Sequence, residues 1–311
     1  MSSQAAERDS EPPLTIADVE RACGLPKDTL RVWERRYGFP APLRDANNER
    51  VYPSDQVAKL RLLSRLIDAG HRPGRIVALP VERLTELARE TASATSRLAS
   101  PDPRLARLLE MLRAHDVERL RDAFAADLLA LGLERFVMDI VAPLTSAVGD
   151  SWAAGDLQVF HEHLYTEQVS RTLRSAMSAA PLGPGDRRPR VLLTTLPGES
   201  HGLGLLMVEA LLSVRGCACV SLGVETPLEE VALAAPAHGV DIVALSFSAF
   251  APARLVQTGL EQLRRRLPEP IELWAGGSAP SLKRAAPAGV VVVRDLGELD
   301  DTLAHWRRRA G

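Results

Sequence analysis

The stretch that decides the reading is residues 191–204, "VLLTTLPGESHGLG", in which a short β-rich apolar run leads into a glycine-rich turn carrying one histidine. An apolar helix pattern follows at once, "LLMVEALL" at 205–212. Four later runs repeat the theme with helical stretches between them: "CACVSL" (217–222), "DIVALSF" (241–247), "IELWA" (271–275) and "VVVV" (290–293). Runs this continuously apolar are buried on both faces, so the spacing predicts a parallel sheet with helices on both sides, a doubly wound α/β domain over 189–311. Such sheets take ligands beyond the carboxyl ends of their strands. Glu199–Gly204, Leu222–Pro227, Ser246–Ser248 and Gly276–Gly277 are therefore expected to face one crevice.

Working outward, the remaining chain is helical. A chain of 311 residues, 46% hydrophobic and 25% charged, is long enough for two or three domains with cores of their own. Small, polar, proline-containing breaks at "TASATSRLASPDP" (91–103) and "PLGPGDRRPR" (181–190) cut it into three blocks. The first, 14–88, reads helix, turn, helix, wing-like segment and further helix, opening on a Thr15-x-x-Asp18 capping box. The second, 104–180, places Leu105, Leu108, Leu109, Leu112, Leu128, Leu129, Leu131, Phe136 and Ile140 at helical spacings, as in a four-helix-bundle-like unit. The fold class expected is thus multidomain, α and α/β.

The opening "MSSQAAERDSEPP" is polar, and no run of 18 uncharged apolar residues occurs, so a soluble cytoplasmic protein with no membrane partner is expected. Cys23, Cys217 and Cys219 are too few for a disulfide framework and read as small core residues in a reducing compartment. Net charge is −2, but residues 14–80 hold 12 Lys/Arg against 8 Asp/Glu, which makes this block locally basic.

That excess is concentrated on one helix and the turn after it. Lys27, Arg31, Arg35 and Arg36 share a polar helix face, followed by Arg44 and Arg50, a density of guanidinium groups suited to DNA phosphates and a groove. Thr15-Ile-Ala-Asp-Val, Thr29-Leu-Arg-x-Trp33-Glu-Arg-Arg-Tyr37-Gly38 and Arg50-Val-Tyr52, followed by Asp55-Gln-Val, resemble the winged-helix DNA-binding domain of the MerR family over about 14–80. The resemblance implies operator DNA as partner, with Thr29, Arg31, Arg35, Arg36, Arg44, Arg50 and Tyr52 at the contact. Pro26–Lys27 departs from the family's frequent Ser–Pro helix start, and a proline there still allows helix initiation. No cysteine pair follows as in the family's metal sensors, so the effector belongs to the later blocks.

A lone histidine is usually structural, and His71, His115, His238 and His305 are read so. His201 differs: it follows a strand, has Gly198, Gly202 and Gly204 around it, and has Glu199 two residues earlier to hold one ring nitrogen. A dinucleotide fingerprint is a poorer fit, because the glycines are misplaced and Glu225 is a weak ribose partner. Zinc fits poorly too, since His161 and His163 are two apart on a helix and point to different faces.

Glu199-Ser-His201-Gly-Leu-Gly204, Ser246-Phe-Ser248 and Gly276–Gly277 resemble the flavodoxin-like cobalamin-binding domain that takes its cofactor base-off. Trp152, followed after nine residues by Glu162–His163, is similar to the Trp-x9-Glu-His signature of MerR-type cobalamin photoreceptor repressors, the CarH type. The resemblance implies adenosylcobalamin as cofactor, His201 as lower axial ligand to cobalt, Trp152 shielding the upper group, Glu162 and His163 near it, and Glu199, Gly202, Gly204, Ser246, Ser248, Gly276 and Gly277 around the lower face and nucleotide tail. It further implies a repressor, dimer to tetramer, that holds operators in the dark and releases them in light. Two positions depart from the pattern. Ser248 stands where Leu or Thr is usual, and Ala153 stands where a second histidine takes the upper site after photolysis, leaving that site to His161, His163 or water. Other readings are a corrinoid methyl carrier, a cobalamin sensor without a light switch, and a regulator that has lost its cofactor. No nucleophile–base pair or phosphate loop suggests an enzyme.

Overall fold

The expected capping box forms at the start of the chain's first helix. Asp18 accepts from the Thr15 backbone N–H (3.1 Å) while the Thr15 hydroxyl accepts from the Asp18 N–H (3.3 Å), which starts α1 (Ile16–Cys23). The computed structural model describes residues 14–310 except 24, 69–70, 97–101, 154–155, 180–186, 249–250 and 285–286. The chain divides into two compact units, residues 1–102 with 149–158, and residues 103–148 with 159–311.

In the first unit α2 (Lys27–Tyr37) begins after Pro26 and ends at Gly38, whose left-handed φ of 67° lets its N–H cap the Glu34 carbonyl. Leu30 and Trp33 turn inward, each worth roughly 1.5–3 kcal/mol of burial, and leave the arginines outside. Three short strands, β1 (Leu14–Thr15), β2 (Leu43–Arg44) and β3 (Arg50–Tyr52), form an antiparallel sheet with β3 central. The β2–β3 hairpin is the wing. α3 (Ser54–Asp68), α4 (Pro73–Ile76) and α5 (Val81–Ser96) complete a core around Leu30, Trp33, Tyr52, Leu60, Leu63 and Leu84.

In the second unit α6 (Pro103–Arg113), α7 (Val117–Arg135), α8 (Ala142–Ala153) and α9 (Val159–Ala179) are the expected helices, with a π-helical turn at Phe136–Val141 between α7 and α8. The last residues of α8, from Gly149, belong to the first unit. Leu108, Leu112, Leu120, Phe124, Phe136 and Ile140 are buried. Leu129, expected among them, is 89% exposed, because Leu120, Phe124 and Leu128 set the inward stripe of α7 and Leu129 stands one residue off it. Gly132, at φ 74° and ψ 166°, then breaks the helix.

The sheet is β4 (Arg190–Thr194), β5 (Ala218–Gly223), β6 (Ile242–Phe247), β7 (Glu272–Gly277) and β8 (Val290–Val293), all parallel, in the order β5-β4-β6-β7-β8. This is the doubly wound flavodoxin-like order. It is wrapped by α10 (Leu203–Val214), α11 (Leu228–Ala237), α12 (Ala253–Arg266), α13 (Pro280–Arg284) and α14 (Leu299–Ala310). α10 also packs against α7 and α9, so the helical and α/β blocks, separate in the sequence reading, share one unit. Because the chain leaves β4 for β5 on one side and returns to β6 on the other, the loops after β4 and β6 diverge at a switch point, where such folds open a crevice.

Candidate functional site

His201 stands on the loop from β4 to α10, at that switch point. Its Nδ1 lies 2.6 Å from Glu199 Oε1, and its backbone N–H donates to the same oxygen at 3.0 Å. The second carboxylate oxygen of Glu199 accepts from the Ser248 N–H and hydroxyl, both at 2.8 Å, at the end of β6. Glu199 is 1% exposed at its side chain and His201 53%, so a buried carboxylate anchors an imidazole that reaches outward. Nδ1 is thus the ring nitrogen engaged by Glu199.

The electrostatics follow from this geometry. Burial opposes ionisation of Glu199, but hydrogen bonds from His201 and Ser248 outweigh it and hold the carboxyl below its ordinary value. His201 is pushed above its ordinary value chiefly by the hydrogen bond to Glu199, against its own burial, with added pull from the charges of Glu199 and Glu162. Glu162 lies in the first turn of α9, so this helix and the loop histidine feel each other. The two histidines beside Glu162 part company as expected: His161 is buried, its ring stacked on Phe160 (4.1 Å between centroids) and His115 (4.8 Å), while the His163 side chain is 74% exposed.

The glycines expected at the site are explained by close packing. A Cβ on Gly204 would come 3.0 Å from Ser246 Oγ, which joins the start of α10 to β6. On Gly202 it would meet Val224 at 2.9 Å, and on Gly276 the Val293 carbonyl at 3.1 Å. Gly277 has φ +109°, and a Cβ there would strike the Phe247 carbonyl at 2.1 Å. All four expected segments meet at the carboxyl ends of the strands. Trp152 belongs to the first unit, where the Arg61 guanidinium of α3 lies 5.2 Å from its ring centroid.

On the first unit, Arg31, Arg35 and Arg36 stand exposed on α2, with Thr29 half-buried beside them. Arg31 pairs with Asp28 at 3.4 Å. In the wing, Asp45 Oδ1 accepts from the Asn47 and Glu49 N–H groups at 2.9 and 2.8 Å, shaping the turn from which Arg44 bonds the Asn48 carbonyl at 2.7 Å. Arg50, expected at DNA, is half-buried and paired with Glu34 at 3.1 Å, which ties the wing to α2. Tyr52 is a correction to the sequence reading: on the central strand it faces inward, is 1% exposed, and packs in the core rather than on the DNA side. The apolar Val32 also stands exposed on the arginine face of α2, where it interrupts the polar pattern.

Residues 14–79 match the family model "MerR HTH family regulatory protein", and residues 104–178 and 189–305 match two models described as "B12 binding domain". The HTH-type transcriptional repressor CarH of Myxococcus xanthus is 33% identical over 291 residues, which cover 93% of this chain and 95% of that protein. The chain belongs to the CarH repressor family. CarA, an HTH-type transcriptional repressor of the same organism, is 32% identical over 298 residues, covering 95% of this chain and 96% of CarA. The monomethylamine corrinoid protein of Methanosarcina barkeri shares the fold, with a TM-score of 0.52 at 17% identity over 64% of this chain and 96% of that one.

Beyond the motifs that mark a CarH-type chain, the structure brings further residues to the histidine loop. Thr195, fully buried just after β4, and Glu225, in the turn after β5, bind the loop at Glu199 and Gly198, while the neighbouring Thr194 binds that turn at Gly223 and Thr226. Paired threonines closing an apolar strand were the available sequence signal. The cysteines remain structural: burial pushes Cys23 and Cys219 up to about 12 and also raises Cys217. Among the described residues no group of three His, Cys, Asp or Glu side chains could hold a metal ion, and no helix is long and apolar enough to cross a membrane.

Proposed function

We propose that this protein is a transcriptional repressor whose hold on operator DNA is set by bound cobalamin, with adenosylcobalamin as the working form and light as the releasing signal. The observation that carries the reading is the Glu199–His201–Ser248 relay at the switch point. It presents one imidazole nitrogen outward with its direction and tautomer fixed from behind, as a metal-ligating histidine requires. The residues present fit a corrinoid: His201 would hold its cobalt through Nε2, Glu162 and His163 of α9 would lie near it, and the glycines would allow close approach near the strand ends. When bound, the corrinoid supplies a cobalt–carbon bond that light can break.

The chain's own residues do the rest. Glu199 keeps Nδ1 occupied and stabilises any positive charge His201 acquires. Trp152 would be the residue to cover a group carried by the corrinoid, and loss of such a packing partner would bias an assembly equilibrium between two states. Ala153 offers no imidazole and His161 is held in its ring stack, so the exposed His163 would be the histidine beside Glu162 able to offer a nitrogen to the corrinoid. Arg31, Arg35 and Arg36 neutralise phosphates along the groove with Thr29 beside them, and Arg44 does so from the wing. A palindromic operator needs at least a dimer, and a tetramer is the state proposed for the dark form.

Size-exclusion chromatography with light scattering, read at protein and corrin wavelengths, tests this on protein loaded with adenosylcobalamin in the dark and then illuminated. Corrin is expected to co-elute with a large dark species that shrinks in light. An unchanged size in light removes the photoswitch, and a protein peak without corrin overturns the cofactor assignment.

A further inference from the structure

We infer that Thr195 and Glu225 are positioning residues for the axial histidine, acting together as a clamp that holds the 198–201 loop in its ligating form. The inference rests on the cobalamin reading of His201. Thr195 is fully buried just after β4, yet its hydroxyl is used twice: it donates to the Glu199 carbonyl (2.5 Å) and accepts from the Glu225 N–H (2.8 Å). Its carbonyl accepts from the Thr226 N–H at 2.9 Å, so the turn after β5 is bound to the end of β4 through both backbone and side chain. Thr194 reinforces that seam with a hydroxyl contact to Thr226 at 2.7 Å and a hydrogen bond to the Gly223 carbonyl at 3.0 Å.

Glu225 closes the ring from the other side. Its carboxylate accepts from the Gly198 N–H at 3.1 Å, three residues before the histidine. It does so from a backbone φ of +58°, a conformation in which glycine would be intrinsically favoured. An exposed side chain kept at such a position needs a reason, and the bond to Gly198 supplies one. The loop is therefore gripped at Gly198 by Glu225 and at Glu199 by Thr195, while the Glu199 carboxylate aims His201. Val224, beside Glu225, lies 2.9 Å from where a Gly202 Cβ would be, so the same turn also packs against the residue that follows the histidine. In this arrangement the turn after β5 and the axial loop form one body, so a displacement of either carries the imidazole with it.

The test uses the full chain with the variants Thr195→Val, Thr195→Ser and Glu225→Gly, loaded with adenosylcobalamin and photolysed without oxygen to the cobalt(II) state. Electron paramagnetic resonance then reads axial ligation directly, as the three-line splitting that one imidazole nitrogen imposes on cobalt. Wild type and Thr195→Ser are expected to show full splitting. Thr195→Val and Glu225→Gly are expected to lose much of it and to bind the corrinoid on the order of tenfold more weakly. Glu225→Gly relieves the backbone, so its effect cannot come from a failed fold. Full splitting in both variants overturns the clamp. In cofactor-free protein, amide exchange at Gly198 and His201 is expected to quicken on the order of tenfold in the same two variants; unchanged exchange likewise overturns it. If wild type takes up no corrinoid, the cofactor reading fails, and amide exchange alone decides the clamp.

Discussion

The arginine face of α2 and the histidine loop after β4 both present basic side chains to solvent, and they are built in opposite ways. Arg35 and Arg36 have no ion pair among the described residues; Arg36 rests on the Tyr37 ring at 5.4 Å. His201 stands on a carboxylate that is almost wholly buried and bonded to two donors of Ser248, just past β6. A polyanion with many equivalent phosphates is met by several adaptable charges, each contributing modestly and each screened by salt. On the proposed reading, a single cobalt would be met by one nitrogen whose direction and proton are set in advance. The difference lies in what sits behind the basic group rather than in the group itself.

That contrast is broken most severely by removing the ligand. His201→Ala is expected to abolish the nitrogen splitting of the cobalt(II) form and to weaken corrinoid binding more than any other single change, measured by equilibrium dialysis. Retained affinity would mean that the relay serves only the fold. Glu199→Gln, which keeps the shape and removes the charge, is expected to weaken binding by about 10–100-fold in the same assay.

On the DNA side the losses are smaller and depend on salt. Arg35→Ala and Arg36→Ala are each expected to lower affinity similarly for all sequences and to reduce the slope of log K against log salt by about one, read by fluorescence anisotropy of a labelled duplex. A sequence-selective loss would place that arginine on a base edge instead.

The pH dependence sharpens the comparison further. In cofactor-free protein the His201 interaction is fully present below the ordinary histidine value of 6.5 and is lost as pH rises through the raised folded value. The Glu199 contribution is present above its ordinary 4.5 and is lost as pH falls through its lowered folded value. Stabilisation of the loop therefore peaks between those limits. Cobalt competes with the proton for the ring, so corrinoid affinity is expected to rise with pH until the raised His201 value is passed, and a fall over that range would contradict ligation by His201. DNA affinity carried by arginine should show no such step.

The smallest expected effect is that of Tyr52→Phe. The Tyr52 hydroxyl is buried and has no hydrogen-bond partner among the described residues, so its loss is expected to leave DNA affinity unchanged and stability equal or slightly higher, within about 1 kcal/mol. A large loss of affinity would return Tyr52 to the interface.

These cases also mark how far the sequence could be read. The parallel sheet was legible because its five strands are continuous apolar runs, and the crevice followed from strand order and loop position. His201 and Glu199 were legible because their pairing is local, two residues apart on one loop. Thr195 and Glu225 were not, because their partnership spans 30 residues and depends on the conformation of the turn after β5. Tyr52 misled because an Arg-x-Tyr hairpin reads as surface until β3 proves to be the central strand with both neighbours in place. The Arg50–Glu34 pair was not legible, because its partners lie 16 residues apart on different elements.

The central claim is that one chain couples the cofactor at His201 to the grip on DNA. It is tested most directly by selecting bound duplexes from a random pool in the dark with adenosylcobalamin, then measuring anisotropy of the winning duplex for wild type and His201→Ala, with and without cofactor, before and after illumination. The account predicts tight binding only for dark, loaded wild type, with release in light. Equal affinity for loaded wild type, cofactor-free wild type and His201→Ala would contradict it.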